Sequence, residues 1–362
     1  MIPQMEPWFG EEEAGAVSDY MRSGGWVMEF KKTTELETMI AKFVGAKHCV
    51  MTTNGTISLT LALLALGLEA GDEVFVPNIT MIASPNAAKL VGINPVLVDI
   101  DPQTLCMDLE KAKEAITPRT KALMYVAFNG RSGDMQKVTD FCRAHNLFLL
   151  EDAAQALGSQ WHGKHLGAFG EIGSFSFSVP KIITMGQGGA LVTDSDEYTA
   201  KLRRLKDFGR TGGGGDIHDE WGWNFKFTDI QAVIGIEQMK KLPWRVERKK
   251  EIWKKYEELL KDVPGVEMIP TNLENTSPWF IEVFVDDPDA LSTYLKEQEI
   301  GSRKIYPAIH LQKIYRDVYA GKSFPVTERM AARGLWIPSS SKLTDEDVAK
   351  VAEAIKTFYS KW

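Results

Sequence analysis

The first two-thirds of the chain alternates short apolar runs with stretches whose apolar residues recur at helical spacing. Residues 34–44 read as a helix, and 56–68 as a strong one carrying Leu59, Leu61, Leu63 and Leu64, with Gly67 near its end. Residues 73–77 read as a short buried strand, 82–91 as helix and 95–98 as strand. The same order repeats with helix at 109–116, strand at 122–126, helix at 135–145 and strand at 147–150. Short apolar strands between amphipathic helices predict parallel strand–helix–strand units, with a sheet covered on both faces.

After residue 190 or so the pattern changes. Residues 228–241 and the strongly charged 244–260 read as two helices, followed by a strand-like 279–285 and helices at 289–298 and 345–359. This predicts an α/β domain over 1–245 and a smaller α+β domain over 246–362, bridged by the charged helix beginning near Trp244. No linker rich in Pro, Gly or Ser, no repeat and no low-complexity tract interrupts the chain. The four glycines at 212–215 read either as a mobile loop tip or as a flap over a site.

Composition narrows the classes. An apolar fraction of 44% with 25% charged residues over 362 residues fits a globular chain with a large core and excludes disorder as its main state. A net charge of −7 argues against nucleic acid as a partner. No run of about 18 apolar residues predicts a membrane span, and residues 1–10 lack the features of a signal peptide, so a cytoplasmic protein is expected. Cys49, Cys106 and Cys142 are far apart and read as buried free thiols. The histidines show no metal spacing. His162 and His165 fall in an expected surface hairpin around Gly163.

Three segments carry chemistry. Glu151-Asp152-Ala153-Ala154-Gln155 follows an apolar strand, and the C-terminal ends of parallel strands are where open α/β sheets bind ligands. Taken alone, Asp152 serves equally well as a helix cap. The strand-like stretch ending in Ser176 runs on to Val179-Pro180-Lys181, with Gly186-Gln187-Gly188-Gly189 close behind. A lysine between an apolar strand and a glycine-rich turn is desolvated and becomes a candidate amine nucleophile. An aspartate 29 residues before it suits the ring nitrogen of pyridoxal phosphate. Thr52-Thr53-Asn54-Gly55-Thr56 opens the strongest helix, where backbone N–H groups and a glycine can cradle a phosphate, although Asn-Gly-Thr alone is also a plain helix cap.

With these segments in place the sequence resembles the DegT/DnrJ/EryC1/StrS family of sugar aminotransferases over nearly its whole length. The motifs are Asn-Gly-Thr at 54–56, GDEVFVPNIT at 71–80, ITPRTKAL at 116–123, EDAAQALGS at 151–159, SFSFSVPKIITMGQGGALVT at 174–193, GWNFKFTDIQAVIGIEQ at 222–238 and IYPAIHLQ at 305–312. The resemblance implies fold type I of the pyridoxal-phosphate enzymes (aspartate-aminotransferase-like), with a mostly parallel central sheet and a smaller C-terminal domain. It implies that Lys181 holds the cofactor and shuttles the proton, and that Asp152 meets the ring nitrogen. Gln155 would lie near the ring hydroxyl, Gly55, Thr56 and Ser176 would hold the phosphate, and Met81 would face the ring. Asn224 would reach the phosphate of the other subunit of a homodimer with shared active sites. Tyr306 and His310 would line the sugar pocket, Trp26 would stand near the N-terminal entrance as a substrate contact, and Arg303 and Lys304 are candidates for the diphosphate of a nucleotide sugar.

Several positions depart from the family pattern. Met81 replaces a usual aromatic ring, Ala127-Phe128-Asn129-Gly130 replaces His-Leu-Tyr-Gly, Val179-Pro180 replaces Gly-Asn before the lysine, and Lys226 replaces an arginine. Lys181 is retained where a dehydrating branch of the family carries histidine. The resemblance therefore implies transfer of an amino group, from glutamate by family habit, to a nucleotide-linked 6-deoxy keto-sugar. Residues 79–88 and 116–122 look most like the branch that aminates C4, as in perosamine synthesis for surface polysaccharides such as lipopolysaccharide O-antigen or for antibiotic sugars. Amination at C3, a cyclitol ketone of the scyllo-inosose type as acceptor, and a non-catalytic regulator that binds the cofactor are the alternatives.

Overall fold

A computed structural model describes residues 1–211 and 215–360. Thirteen strands appear among them: β1 (His48–Thr52), β2 (Glu73–Pro77), β3 (Asn94–Val98), β4 (Thr120–Val126), β5 (Phe148–Asp152), β6 (Gln160–Trp161), β7 (Lys164–His165), β8 (Ile172–Ser176), β9 (Gly189–Thr193), β10 (Val266–Glu267), β11 (Ile281–Val285), β12 (Arg303–Lys304) and β13 (Gly334–Ile337). The helices are α1 (Glu11–Arg22), α2 (Lys31–Val44), α3 (Gly55–Ala65), α4 (Ala83–Lys89), α5 (Leu109–Glu114), α6 (Met135–Ala144), α7 (Asp196–Lys206), α8 (Asp229–Leu260), α9 (Pro288–Glu297), α10 (Pro325–Arg333) and α11 (Asp345–Ser360).

Seven strands form one sheet in the order β1-β9-β8-β5-β4-β2-β3. Only β9 runs against the others, pairing antiparallel with both β1 and β8. Successive residues of its strands enter opposite cores. Phe75, Leu123, Tyr125 and Leu149 pack on one face, while Val74, Val76, Met124 and Leu150 pack on the other. Burial on both faces is why these strands read as continuous apolar runs. A second sheet, β10-β11-β13-β12, is antiparallel throughout. Ile281, Val283 and Val285 of β11 face α8 and α11, and Phe284 faces an aromatic cluster with Phe128, Trp279, Phe280 and Trp336.

One expectation is corrected. The two helices expected at 228–241 and 244–260 are a single helix, α8, with Pro243 inside it, and it runs through the expected boundary at 245/246. Proline removes one backbone donor from the ladder, and the flanking Leu242 and Val246 are both buried, so packing holds the helix through it. The hairpin around Gly163 is present. His162 and Gly163, at φ 48° and 78°, turn β6 into β7. All three cysteines are free and buried. Of the four-glycine run, residues 212–214 lie outside the described residues. Among the described residues no helix is long and apolar enough to cross a membrane.

Candidate active site

The parallel strands all end at one edge of the large sheet, and the chemistry collects there. Asp152 is the last residue of β5, Ser176 the last of β8, and Met81 and Ser84 follow β2 into the start of α4. Glu151 and Asp152 are consecutive in a strand, so their side chains point to opposite faces. Glu151 accepts the N–H groups of Gly167, Phe169 and Gly170 at 2.5–2.8 Å and braces that loop. Asp152 turns to the other face, where Ser84 Oγ donates to Oδ2 at 2.7 Å and the Ala154 N–H to Oδ1 at 3.2 Å. Burial raises the Asp152 carboxyl from its ordinary value, against the pull of Ser84, of the Lys181 charge and of the Ala154 amide.

Lys181 sits on the loop that reverses the chain between β8 and β9. That loop is tied from several sides. Phe177 exchanges backbone bonds with Gly188 and Met185 at 2.9 and 3.0 Å. Arg245 of α8 donates to the Ile182 carbonyl at 3.1 Å, and the Trp279 indole N–H donates to the Pro180 carbonyl at 2.6 Å. The lysine side chain is 9% exposed, and burial lowers its ammonium to about 8, with Asp152 pulling up and Arg303 pushing down. Lys181, Gln155, Ser176 and Trp279 line one small cavity. The Gln155 carbonyl accepts the Asn129 N–H at 2.8 Å, which leaves its amide hydrogens for an oxygen in that cavity.

The sheet register brings the turn at Asn54-Gly55-Thr56 beside Ser176. Thr52 of β1 and Ser176 of β8 both pair with Gly189 of β9, so the turn after Thr52 lies two strands from Ser176. Asn54 caps α3 by accepting the Ile57 N–H at 3.0 Å, which leaves the N–H groups of Gly55 and Thr56 at the open helix end. A Cβ on Gly55 would lie 2.9 Å from Ser176 Cβ, so only glycine leaves the cradle open. This donor set fits pyridoxal phosphate: helix-terminal amides and a serine hydroxyl for a phosphate, a buried carboxylate for a protonated ring nitrogen, and a desolvated amine for the aldehyde.

Other expected residues fall elsewhere. Tyr306 and Arg303 border the aromatic cluster. The Arg303 guanidinium lies 4.6 Å from the Trp336 ring centre, and Tyr306 meets the same ring edge-on at 4.8 Å. Lys304 pairs with Asp289 at 2.9 Å on the surface. His310 does not offer its ring to a ligand in this structure. It is buried, with Nδ1 accepting from Asn78 Nδ2 at 2.7 Å and Nε2 3.3 Å from Glu328. A histidine so committed is braced from both ring nitrogens. Trp26, 63% exposed, stacks on Phe30 at 5.6 Å, and Asn224 is exposed beside Asp207, so this chain does not bring either into the Lys181 cavity. Met81 is also exposed.

Several residues here carry no motif of their own. Ser84 orients Asp152, Asn129 orients Gln155, and Trp279 holds the lysine loop. Beneath them Glu282 accepts from Asn129 and pairs with Arg131, all three buried. The replacement of His-Leu-Tyr-Gly by Ala127-Phe128-Asn129-Gly130 is the one sequence signal for this network.

The sequence profile of the DegT/DnrJ/EryC1/StrS aminotransferase family matches residues 7–356. GDP-perosamine synthase of Vibrio cholerae is 33% identical over 365 residues, spanning 99% of this chain and 100% of that protein. The crystal structure of the aminotransferase TlmJ from Streptoalloteichus hindustanus superposes with a TM-score of 0.94 at 30% identity, covering 100% of this chain and 99% of that one. Spr1654 of Streptococcus pneumoniae in its PLP form matches 99% of each chain, with a TM-score of 0.92 at 27% identity. The profile and the relatives both extend over nearly all of its length, and the chain belongs to the DegT/DnrJ/EryC1/StrS aminotransferase family.

Proposed function

We propose that the chain transfers an amino group from L-glutamate to the C4 keto carbon of a nucleotide-linked 6-deoxy keto-sugar, for example GDP-4-keto-6-deoxymannose to GDP-perosamine. In this reading it is a cytoplasmic homodimer serving a surface polysaccharide such as O-antigen. Residues 1–245 form the cofactor part and 246–362 the smaller, lid-like part. The observation that carries the reading is the buried Lys181, which shares a cavity with Gln155 and Ser176 and feels the charge of the buried Asp152. The whole-length likeness to the V. cholerae GDP-perosamine synthase supports the choice of sugar and carbon.

The enzyme depends on pyridoxal phosphate, which when bound supplies an aldehyde carbon for the amine and an electron-withdrawing ring. Gly55, Thr56 and Ser176 would hold its phosphate, Asp152 would keep the ring nitrogen protonated, Gln155 would meet the ring hydroxyl and Met81 would face the ring. Lys181 Nζ would hold the cofactor aldehyde and, once displaced, would carry the proton between the donor Cα and the cofactor C4′. A group lowered to about 8 does both near neutral pH, because neither of its forms is scarce. Arg303 and Tyr306 meet the nucleotide sugar. Trp26 and Asn224 complete the other subunit's site, which accords with their exposure here.

The test is a competition panel of GDP, UDP and dTDP, followed by assays on 4-keto sugars with NMR of the product. One nucleotide should compete and the amine should appear at C4. A protein that ignores all three nucleotides and aminates a cyclitol ketone contradicts the proposal.

A further inference from the structure

Trp279 carries no motif, yet it touches Lys181 in two ways. Its ring centre is 4.1 Å from Lys181 Nζ, and its indole N–H donates to the carbonyl of the adjacent Pro180 at 2.6 Å. The indole is only 4% exposed, stacked on Phe280 at 3.9 Å and edge-on to Trp336 at 5.9 Å, so its plane cannot swing away. Among the described residues Lys181 Nζ has no hydrogen-bond acceptor. Lys249, the other deeply buried lysine lowered in this way, donates to the Ser339 carbonyl instead.

A lysine that hands its bond to an incoming amine must then exist as a free, buried amine. Three charged or titratable groups face it: Asp152 from β5 attracts the ammonium, Arg303 from β12 repels it, and the Tyr306 phenol lies with them. An indole face attracts a desolvated cation more strongly than phenylalanine or tyrosine does. We propose that Trp279 is a positioning residue that parks the Lys181 ammonium whenever the amine is free and fixes the loop that carries it. The proposal rests on the reading that Lys181 is bound and released in each turnover. The two contacts divide the work, the ring face acting on the charge and the N–H on the loop.

The experiment uses the full chain freed of cofactor. The Lys181 Cε–H resonance, assigned by its loss in Lys181→Met, is followed from pH 6 to 11 in wild type, Trp279→Phe and Trp279→Leu. The wild-type midpoint should fall near the value of about 8 set by burial. Trp279→Leu should move it down by about one unit, so that the ratio of neutral to charged amine at pH 7 rises about tenfold, equivalent to about 1.4 kcal/mol. Trp279→Phe keeps a ring and should hold most of the midpoint, while amide exchange across residues 178–185 quickens from loss of the Pro180 bond. Should Trp279→Leu fail to fold, Trp279→Met keeps the bulk and removes the ring face. An unchanged midpoint in a folded Leu or Met variant overturns the parking role, and unchanged exchange in Trp279→Phe overturns the loop role. Neither readout needs cofactor or sugar. Failure of the aminotransfer assays with a normal Trp279 effect would therefore reject the functional reading and leave this contact standing.

Discussion

Ser84→Ala removes one hydroxyl and tests how Asp152 is kept charged. Ser84 Oγ donates to Asp152 Oδ2 at 2.7 Å, and both residues are buried, so water does not replace the bond freely. A hydrogen bond to a charged group contributes about 1.5–3 kcal/mol. Burial pushes the Asp152 carboxyl up and Ser84 is the foremost group pulling it down. At 1.36 kcal/mol per unit, its loss should raise Asp152 by roughly 1–2 units. A carboxylate that is harder to ionise holds the proton of a bound ring nitrogen less firmly. Cofactor affinity and turnover should both fall about 10- to 100-fold. Thr80, whose hydroxyl lies 3.1 Å from that of Ser84, loses a partner too, so a small loss of stability accompanies the change. The assay is a cofactor titration by absorbance in wild type, Ser84→Ala, Ser84→Thr, Asp152→Asn and the Ser84→Ala/Asp152→Asn double variant. Ser84→Thr should retain most of the affinity, and in the Asp152→Asn background the serine effect should vanish. The reasoning fails if Ser84→Ala binds and turns over like wild type, or if its effect survives in Asp152→Asn.

Cofactor loading needs the neutral Lys181 amine. Its rate should rise about tenfold per pH unit up to about 8 and level off above, in stopped-flow absorbance; a flat profile from pH 6 to 9 would contradict the burial of Lys181. The same lowering makes the unfolded chain bind more protons than the native one above pH 8, so this group's contribution to stability increases as pH rises from about 8 toward the ordinary lysine value. Gly55→Ala places a Cβ 2.9 Å from Ser176 Cβ and should weaken cofactor binding at least tenfold without unfolding the chain. Ser176→Ala keeps that Cβ and should not restore the space, whereas the Gly55→Ala/Ser176→Gly pair should do so in part. Glu282→Gln breaks the buried pair with Arg131 and should cost about 3–5 kcal/mol, read by urea unfolding, because Arg131 is left as an uncompensated cation.

Local pattern is enough for β2, β3, β4, β5 and β11, for most helices and for the segments that hold Lys181, Asp152 and Gly55, and it does not announce β1, β10, β12 or β13. Those segments lie at strand ends, where apolar runs stop and chemistry starts. What stayed hidden depends on contacts far apart in sequence. Ser84 meets Asp152 68 residues away, and Trp279 meets Pro180 99 residues away. No period or motif announces such pairs. The two helices expected at 228–241 and 244–260 are one for the opposite reason, since tertiary packing of α8 outweighs the local helix-breaker Pro243. The net charge of −7 said nothing about the cradle, which is built from backbone amides and single side chains.

The central claim is that Lys181 is the amine that holds the cofactor. Borohydride reduction of the cofactor-loaded protein, followed by peptide mapping, tests it directly, because a second buried lysine with a lowered value, Lys249, is present as an internal competitor. The reduced cofactor should be found on the peptide containing Lys181 and be absent after treatment with glutamate. Attachment at Lys249, or no attachment at all, would contradict the account.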